Sequence, residues 1–197
     1  VPSFIDMYSD YGIPVQQRAA GGFSYNAPAQ LTSNTKGAYG WNEAIKADAD
    51  AAALFVADND KAKDIRAIGF GAALMHRRDG IARGTSAFVT LGDGRDNDLV
   101  IKDRVAANYS FEKGSSTQDY PSSLMGAIAL LRQTYLDAQG YVNGGYKKED
   151  NISLDSWNKI QNLPQVFEAG DKQNEFRADK IGDEIGVKYI IKGNGEE

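Results

Sequence analysis

The last third of the chain carries the feature that most restricts the fold: QVFEAG, then DKQNEFRADKIGDEIG, then VKYIIKG. Two apolar runs of strand length flank one segment of helical spacing. Asp171 stands where an N-cap belongs, Phe176, Ile181 and Ile185 face inward in this reading, and Gly186 supplies the stop. A helix between two strands returns the chain to the same end of a sheet. The two strands are therefore expected to be parallel, with a right-handed crossover.

The upstream sequence extends this α/β pattern. Pro2 precedes a short strand over residues 4–8, and a loop opens near Gly12. Residues 18–40 are polar and rich in Gly and Asn, which predicts an irregular excursion, whereas the Ala-rich run 41–55, with Ile45 and Leu54, predicts a helix or helical turns. DNDKAKDIRAIG combines cap-type Asp58 and Asn59 with Ala62 and Ile65 at helical spacing, and Gly69 ends it. FGAALMH reads as a buried strand that ends in a loop rich in Arg and Gly, residues 77–86. AFVTL and DLVIKDRVAANYSF flank GDGRDND, and Val105, Ala107, Tyr109 and Phe111 alternate with period two, so a long antiparallel hairpin is expected.

A helix follows Pro121, with Met125, Ile128, Leu131, Tyr135 and Leu136 as its apolar face. Beyond a polar stretch, 143–150, a shorter helix is expected over 154–163. There is no internal repeat or low-complexity linker, and 197 residues suffice for one core, so residues 1–197 are read as a single domain.

Composition excludes several functions. A net charge of −5 with no Lys/Arg run lacks the electrostatic footprint of a nucleic-acid binder. No apolar stretch approaches the roughly 20 residues of a membrane-spanning helix. The chain has no cysteine, which removes disulfides, thiolate nucleophiles and Cys-based zinc sites. Its one histidine, His76, leaves little material for a multi-histidine metal site.

The segment PSFIDMYSDYG resembles the first barrel strand of the amidohydrolase superfamily, in which a similar run leads into a His-x-His metal pair. Tyr8 and Asp10 stand at the two histidine positions. GFGAALMHRRDGIARGTSAFV is similar to the second-strand region of imidazolonepropionase-like members, and LPQVFEAGDKQNEFRADKIGDEIGVKYIIKG to their fifth strand, helix and sixth strand. The resemblance implies a partial TIM-like (β/α) barrel of the metal-dependent hydrolase type with an antiparallel hairpin insertion. Such barrels hold a metal, usually zinc, through histidines at about 2.0 to 2.1 Å, and it activates water for attack on carbon–nitrogen bonds. Glu168 takes the fifth-strand histidine position and Lys192 lies near the sixth-strand one. Zinc is therefore not expected, because a lysine ammonium opposes cation binding.

The candidate residues allow competing readings. Asp10 and Glu168 could together hold a harder cation such as calcium or magnesium, or Glu168 could pair with Lys192 as a crosslink. His76 ends a strand where barrel ligands bind, or is a hydrogen-bonded structural histidine. Arg77, Arg78 and Arg83, beside Gly80 and Gly84, could clamp a carboxylate or phosphate, or form a loop pinned by Asp79 and backbone carbonyls. GDGRDND lacks EF-hand spacing and reads as a turn, while Trp41 and Trp157 read as packing. The chain, which begins with Val1, is read as a segment excised from a longer protein. The expected role is a degenerate amidohydrolase-like domain for scaffolding or small-molecule binding, with the rest of the full-length chain, a second hydrolase domain or a second copy as partner. The alternative is part of an active metal-dependent hydrolase acting on non-peptide carbon–nitrogen bonds.

Overall fold

In the computed structural model, residues 2–16, 28–144 and 150–195 are described. In chain order the elements are β1 (Phe4–Ser9), α1 (Ala51–Leu54), α2 (Asn59–Ala67), β2 (Phe70–Met75), β3 (Ala82–Thr85), β4 (Ala87–Thr90), α3 (Asp96–Leu99), β5 (Val100–Lys102), β6 (Ala107–Ser110), α4 (Leu124–Val142), α5 (Ile152–Ile160), β7 (Gln165–Glu168), α6 (Lys172–Ile185) and β8 (Tyr189–Lys192). They build an α/β fold with two four-stranded mixed sheets, ordered β1-β2-β4-β5 and β3-β6-β7-β8. No described helix is long and apolar enough to cross a membrane.

The C-terminal unit forms as its sequence dictates. Asp171 accepts a hydrogen bond from the Asn174 amide at 2.9 Å, and Gly186 closes α6 at φ 75°. β7 and β8 run parallel, with Gln165 opposite Tyr189 and Glu168 opposite Lys192. Within α6, however, Phe176 is exposed, and Ala178, Ile181 and Gly182 are the buried residues. Small residues win this face because the helix must sit close to the strand. A Cβ on Gly182 would lie 2.5 Å from the Val187 carbonyl oxygen.

The expected long hairpin is present but is shared between sheets. β4 pairs antiparallel with β5 in one sheet, and β3 pairs antiparallel with β6 in the other. At the crossing point, the amides of Ser86 and Val105 donate to Ala106 and Ser86 carbonyls at 2.8 and 2.9 Å. Arg104 adopts φ 46° there, a left-handed conformation that bends the second arm. The first arm starts earlier than expected: residues 82–85, read as loop because of Arg and Gly, are a fully buried strand.

Two further expectations hold only in part. The run 41–55 forms helical turns rather than one helix: Ala51–Leu54 is helical, capped by Asp50, while Ile45 and Asp50 make single parallel bridges to Ala82 and Thr85. Backbone pairing with β3 overrides alanine's helix propensity in this stretch. In α4 the buried face is Ala127, Leu130, Leu131, Thr134 and Ala138, and Met125 and Leu136 are exposed. The small residues again take the close contact, and Ile128 and Tyr135 pack at its edges.

One core lies under β3, β6, β7 and β8, and includes Tyr109, Trp157, Phe167, Leu130 and Leu131. Each fully buried aliphatic or Phe side chain there contributes about 1.5–3 kcal/mol. A second, with Tyr11, Met75, Val89 and Leu91, packs against α2 under the other sheet. Trp157 therefore packs as expected, but Trp41 is 50% exposed.

Candidate functional site

β1, β2, β6, β7 and β8 point the same way, and their carboxyl ends converge. Tyr8 comes from the end of β1, His76 directly follows β2, and Ser110, Glu168 and Lys192 are the last residues of β6, β7 and β8. Antiparallel β3 adds Arg83 from the opposite direction. Carboxyl ends of parallel strands are where ligands bind in α/β folds, because the loops there are free to vary while the strands hold position.

Arg83 is the centre of the cluster and is 1% exposed. Its Nη1 donates to Glu168 Oε2 at 2.5 Å and to the Tyr8 hydroxyl at 3.0 Å. Nη2 donates to Ser110 Oγ at 2.9 Å, and Nε to the Gly80 carbonyl at 3.1 Å. The other Glu168 oxygen, Oε1, accepts from Arg78 at 2.9 Å and lies 3.5 Å from the Lys192 ammonium. Burial alone would raise the Glu168 carboxyl, but the bonds and charge of Arg83, with Tyr8 and Arg78, outweigh it and hold it at about 2. At neutral pH it is ionised and surrounded by cations.

The Tyr8 ring lies between these charges. Lys192 Nζ is 4.9 Å and the Arg78 guanidinium 5.8 Å from its centroid, within cation–π range. Burial pushes its phenol well above the ordinary value against the pull of Arg83. His76 packs its ring 4.2 Å from that of Tyr8, and its buried Nε2 has no partner among the described residues. Burial, then the charge of Arg83, pushes the imidazole down to about 3, so His76 is neutral. With Glu112 3.8 Å from Arg83, three cations face two carboxylates, a balance that favours an anion over a cation.

Of the candidate residues, Tyr8, His76, Arg83, Glu168 and Lys192 come together. Glu168 does pair with Lys192, but Arg83 and Arg78 are nearer. Asp10 instead lies 3.8 Å from Lys61 and is exposed. Arg77 turns to Asp79, at 2.7 Å. His76 is buried, as a structural histidine would be, and its Nε2 finds no partner among the described residues.

Asp79 pins the loop through a network the sequence only half reveals. It accepts from Lys46, from Arg77 and from the Ser115 amide and hydroxyl, the last two at 2.6 and 2.8 Å. Burial opposes its ionisation, yet Lys46 and Ser115 hold it at about 2, while burial lowers Lys46. Asp79 stood out between two arginines and a glycine. Lys46 and Ser115, distant in sequence, carried no signal. The cluster borders a cavity of about 350 Å3. GDGRDND connects the antiparallel β4 and β5, and it is tied down from outside: Asp93 pairs with Arg66, and Asp96, which starts α3, accepts from the Ala57 amide at 3.0 Å.

Among the described residues no group of three or more His, Asp or Glu is placed to hold a metal ion. The strand-end donor set also does not fit zinc: one neutral histidine, one phenol, one ammonium and a carboxylate whose two oxygens are already engaged.

No family model matches the chain. No curated protein matches it. Among solved structures, the crystal structure of an amidohydrolase from Thermotoga maritima MSB8 is similar in fold, with a TM-score of 0.68 at 16% identity over 97% of this chain. The match covers 51% of that structure, so this chain spans about half its length.

Proposed function

We propose that this chain is a segment of an amidohydrolase-like partial TIM barrel whose metal site is degenerate, and that it serves a scaffolding or small-molecule-binding role within a longer hydrolase. Tyr8, Asp10, Glu168 and Lys192 would be the positions that held metal ligands, with His76, Arg77 and Arg83 as possible ligand contacts. One observation carries the reading: Glu168, the carboxylate best placed for a cation, is engaged on both oxygens by Arg83, Arg78 and Lys192. Breaking a buried ion pair to admit a metal costs about 3–5 kcal/mol before any new bond forms. Elemental analysis after dialysis against zinc tests this. The expected result is no stoichiometric zinc; one equivalent, lost on Glu168→Gln, would overturn it.

A second reading, that the full-length protein is an active hydrolase of non-peptide carbon–nitrogen bonds, is favoured by the fold likeness to an amidohydrolase twice as long. Sequencing the gene beyond Glu197 discriminates: an intact histidine set with an Asp supports it, and absence of that set leaves the binding role. In either reading the edge strand β1, with exposed Phe4, Ile5 and Met7, needs a cover from the rest of the chain, a second hydrolase domain or a second copy.

A further inference from the structure

Away from the strand ends, the loop over residues 37–41, the last turns of α4 and the first turn of α5 line a half-open cavity of about 680 Å3. Tyr39, Trp41, Tyr141 and Leu154 supply its apolar walls, and Asp137 and Asp150 its charge. Trp41 and Tyr39 are 50% and 41% exposed, so both residues are partly open to water. The Trp41 ring and the backbone around Tyr39 are nevertheless held. Trp41 stacks on Tyr120 at 5.9 Å with 19° between planes, and its carbonyl accepts from Gln118 at 2.9 Å. On either side of Tyr39, the Ala38 carbonyl accepts from the Ile152 amide at 2.7 Å and the Gly40 amide donates to Ser153 Oγ at 3.0 Å. The Tyr141 hydroxyl accepts from the Asn151 amide at 3.4 Å, which ties the end of α4 to the start of α5.

Among the described residues the charge is of one sign: no Lys or Arg lines the cavity, and Asp137 accepts only from the Gln133 side-chain amide, at 2.7 Å. The last turn of α4 has no basic residue and presents the negative end of its dipole, while at the start of α5 the Asn151 side chain accepts from the Leu154 amide. Aromatic faces beside carboxylates are the chemistry that recognises an organic cation, through the ring quadrupole and direct charge attraction. A cavity of this size accepts a small molecule.

We infer that this cavity binds a small alkylammonium ligand, at a site separate from the strand-end cluster and independent of the role proposed for it. The test titrates the protein with choline and with 3,3-dimethylbutan-1-ol, its neutral isostere, and follows tryptophan emission. Trp157 is 1% exposed, so a response to solute reports Trp41. Choline should give a saturable change, with the alcohol weaker by roughly three- to thirty-fold, the range that cation–π contacts span from exposed to desolvated rings. Trp41→Phe should abolish the optical response. Asp150→Asn, at an exposed position, and Asp137→Asn should each weaken choline binding by calorimetry. Equal affinity for choline and the alcohol, a response that does not saturate, or undiminished choline binding in the Asp137→Asn, Asp150→Asn double variant would overturn the inference.

Discussion

Replacing Arg83 with Met keeps the length of the stem and removes the guanidinium. The change strips Glu168 of its closest cation, and it takes a donor from the Tyr8 hydroxyl, from Ser110 Oγ and from the Gly80 carbonyl. Both members of the pair are sheltered, with side chains 1% and 12% exposed, so water does little to replace the lost contact. Removing one partner of a buried pair costs about 3–5 kcal/mol. Arg78 and Lys192 still face Glu168, at 2.9 and 3.5 Å, which places the cost at the lower end, about 3 kcal/mol. For a chain of this size that is a fall of roughly 6–12 °C in Tm. Urea unfolding followed by far-UV circular dichroism would measure it. Glu168→Leu alone should cost about as much, because it leaves Arg83 charged and buried, whereas the double variant should recover at least half of the summed loss, since two apolar side chains replace the pair. An Arg83→Met protein within about 0.5 kcal/mol of the parent, or a double variant with fully additive losses, would refute the reasoning.

Acid stability should show His76 first. Its folded pKa of about 3 lies below the ordinary 6.5, so as pH falls below 6.5 the unfolded chain takes up a proton that the folded chain refuses, and stability is lost at up to about 1.4 kcal/mol per pH unit. His76→Phe should remove most of the loss between pH 6.5 and 4.5, measured as urea midpoints across that range; an unchanged slope would rule out His76 as its source. Below that window Glu168 and Asp79, both depressed to about 2 from 4.5 and 3.8, add to the loss, because the unfolded chain protonates these carboxyls while the folded chain keeps them ionised. Gly84→Ala and Gly186→Ala both place a side chain at φ 75°, but a Cβ on Gly84 would lie 1.9 Å from the Ala49 carbonyl oxygen, whereas Gly186 is open. Gly186→Ala should cost about 1–2 kcal/mol and Gly84→Ala clearly more, and equal melting points would contradict the close approach. Light scattering should show self-association that Met7→Lys on β1 weakens; a monomer at all concentrations would exclude a second copy as its cover.

What the sequence makes legible is local. Asp58 and Asp171 as caps and Gly186 as a stop depend on residues a few positions apart, the parallel pairing of β7 with β8 depends on the one helix between them, and each forms as expected. Errors arise where burial is decided by a distant partner. Ala127, Ala178 and Gly182 displace Met125 and Phe176 from the core because close approach rewards small side chains, a preference invisible to a reading that weights large apolar residues. The same limit hid β3: ARGT has no strand signal of its own, and it is buried because β6 supplies its hydrogen bonds and Glu168 neutralises its arginine.

That arginine also explains why the strand ends stay assembled. The hairpin joins the two sheets through backbone bonds at Ser86, but on the other side no ladder connects β1 to β8 among the described residues. What spans that gap is side-chain contact: Lys192 over the Tyr8 ring, Glu168 held by Arg83, and Arg83 donating to Tyr8. Backbone ladders are indifferent to side-chain identity, but this junction is not. Tyr8→Leu removes both the ring and the hydroxyl while leaving Arg83 and Glu168 paired, so it should loosen β1 selectively. Hydrogen exchange at the Phe4 amide, which bonds to the Gly69 carbonyl at 2.9 Å, should then accelerate without matching change at the β7 and β8 amides. Uniform acceleration in all three strands would mean that the cluster supports the whole fold rather than joining its two open edges.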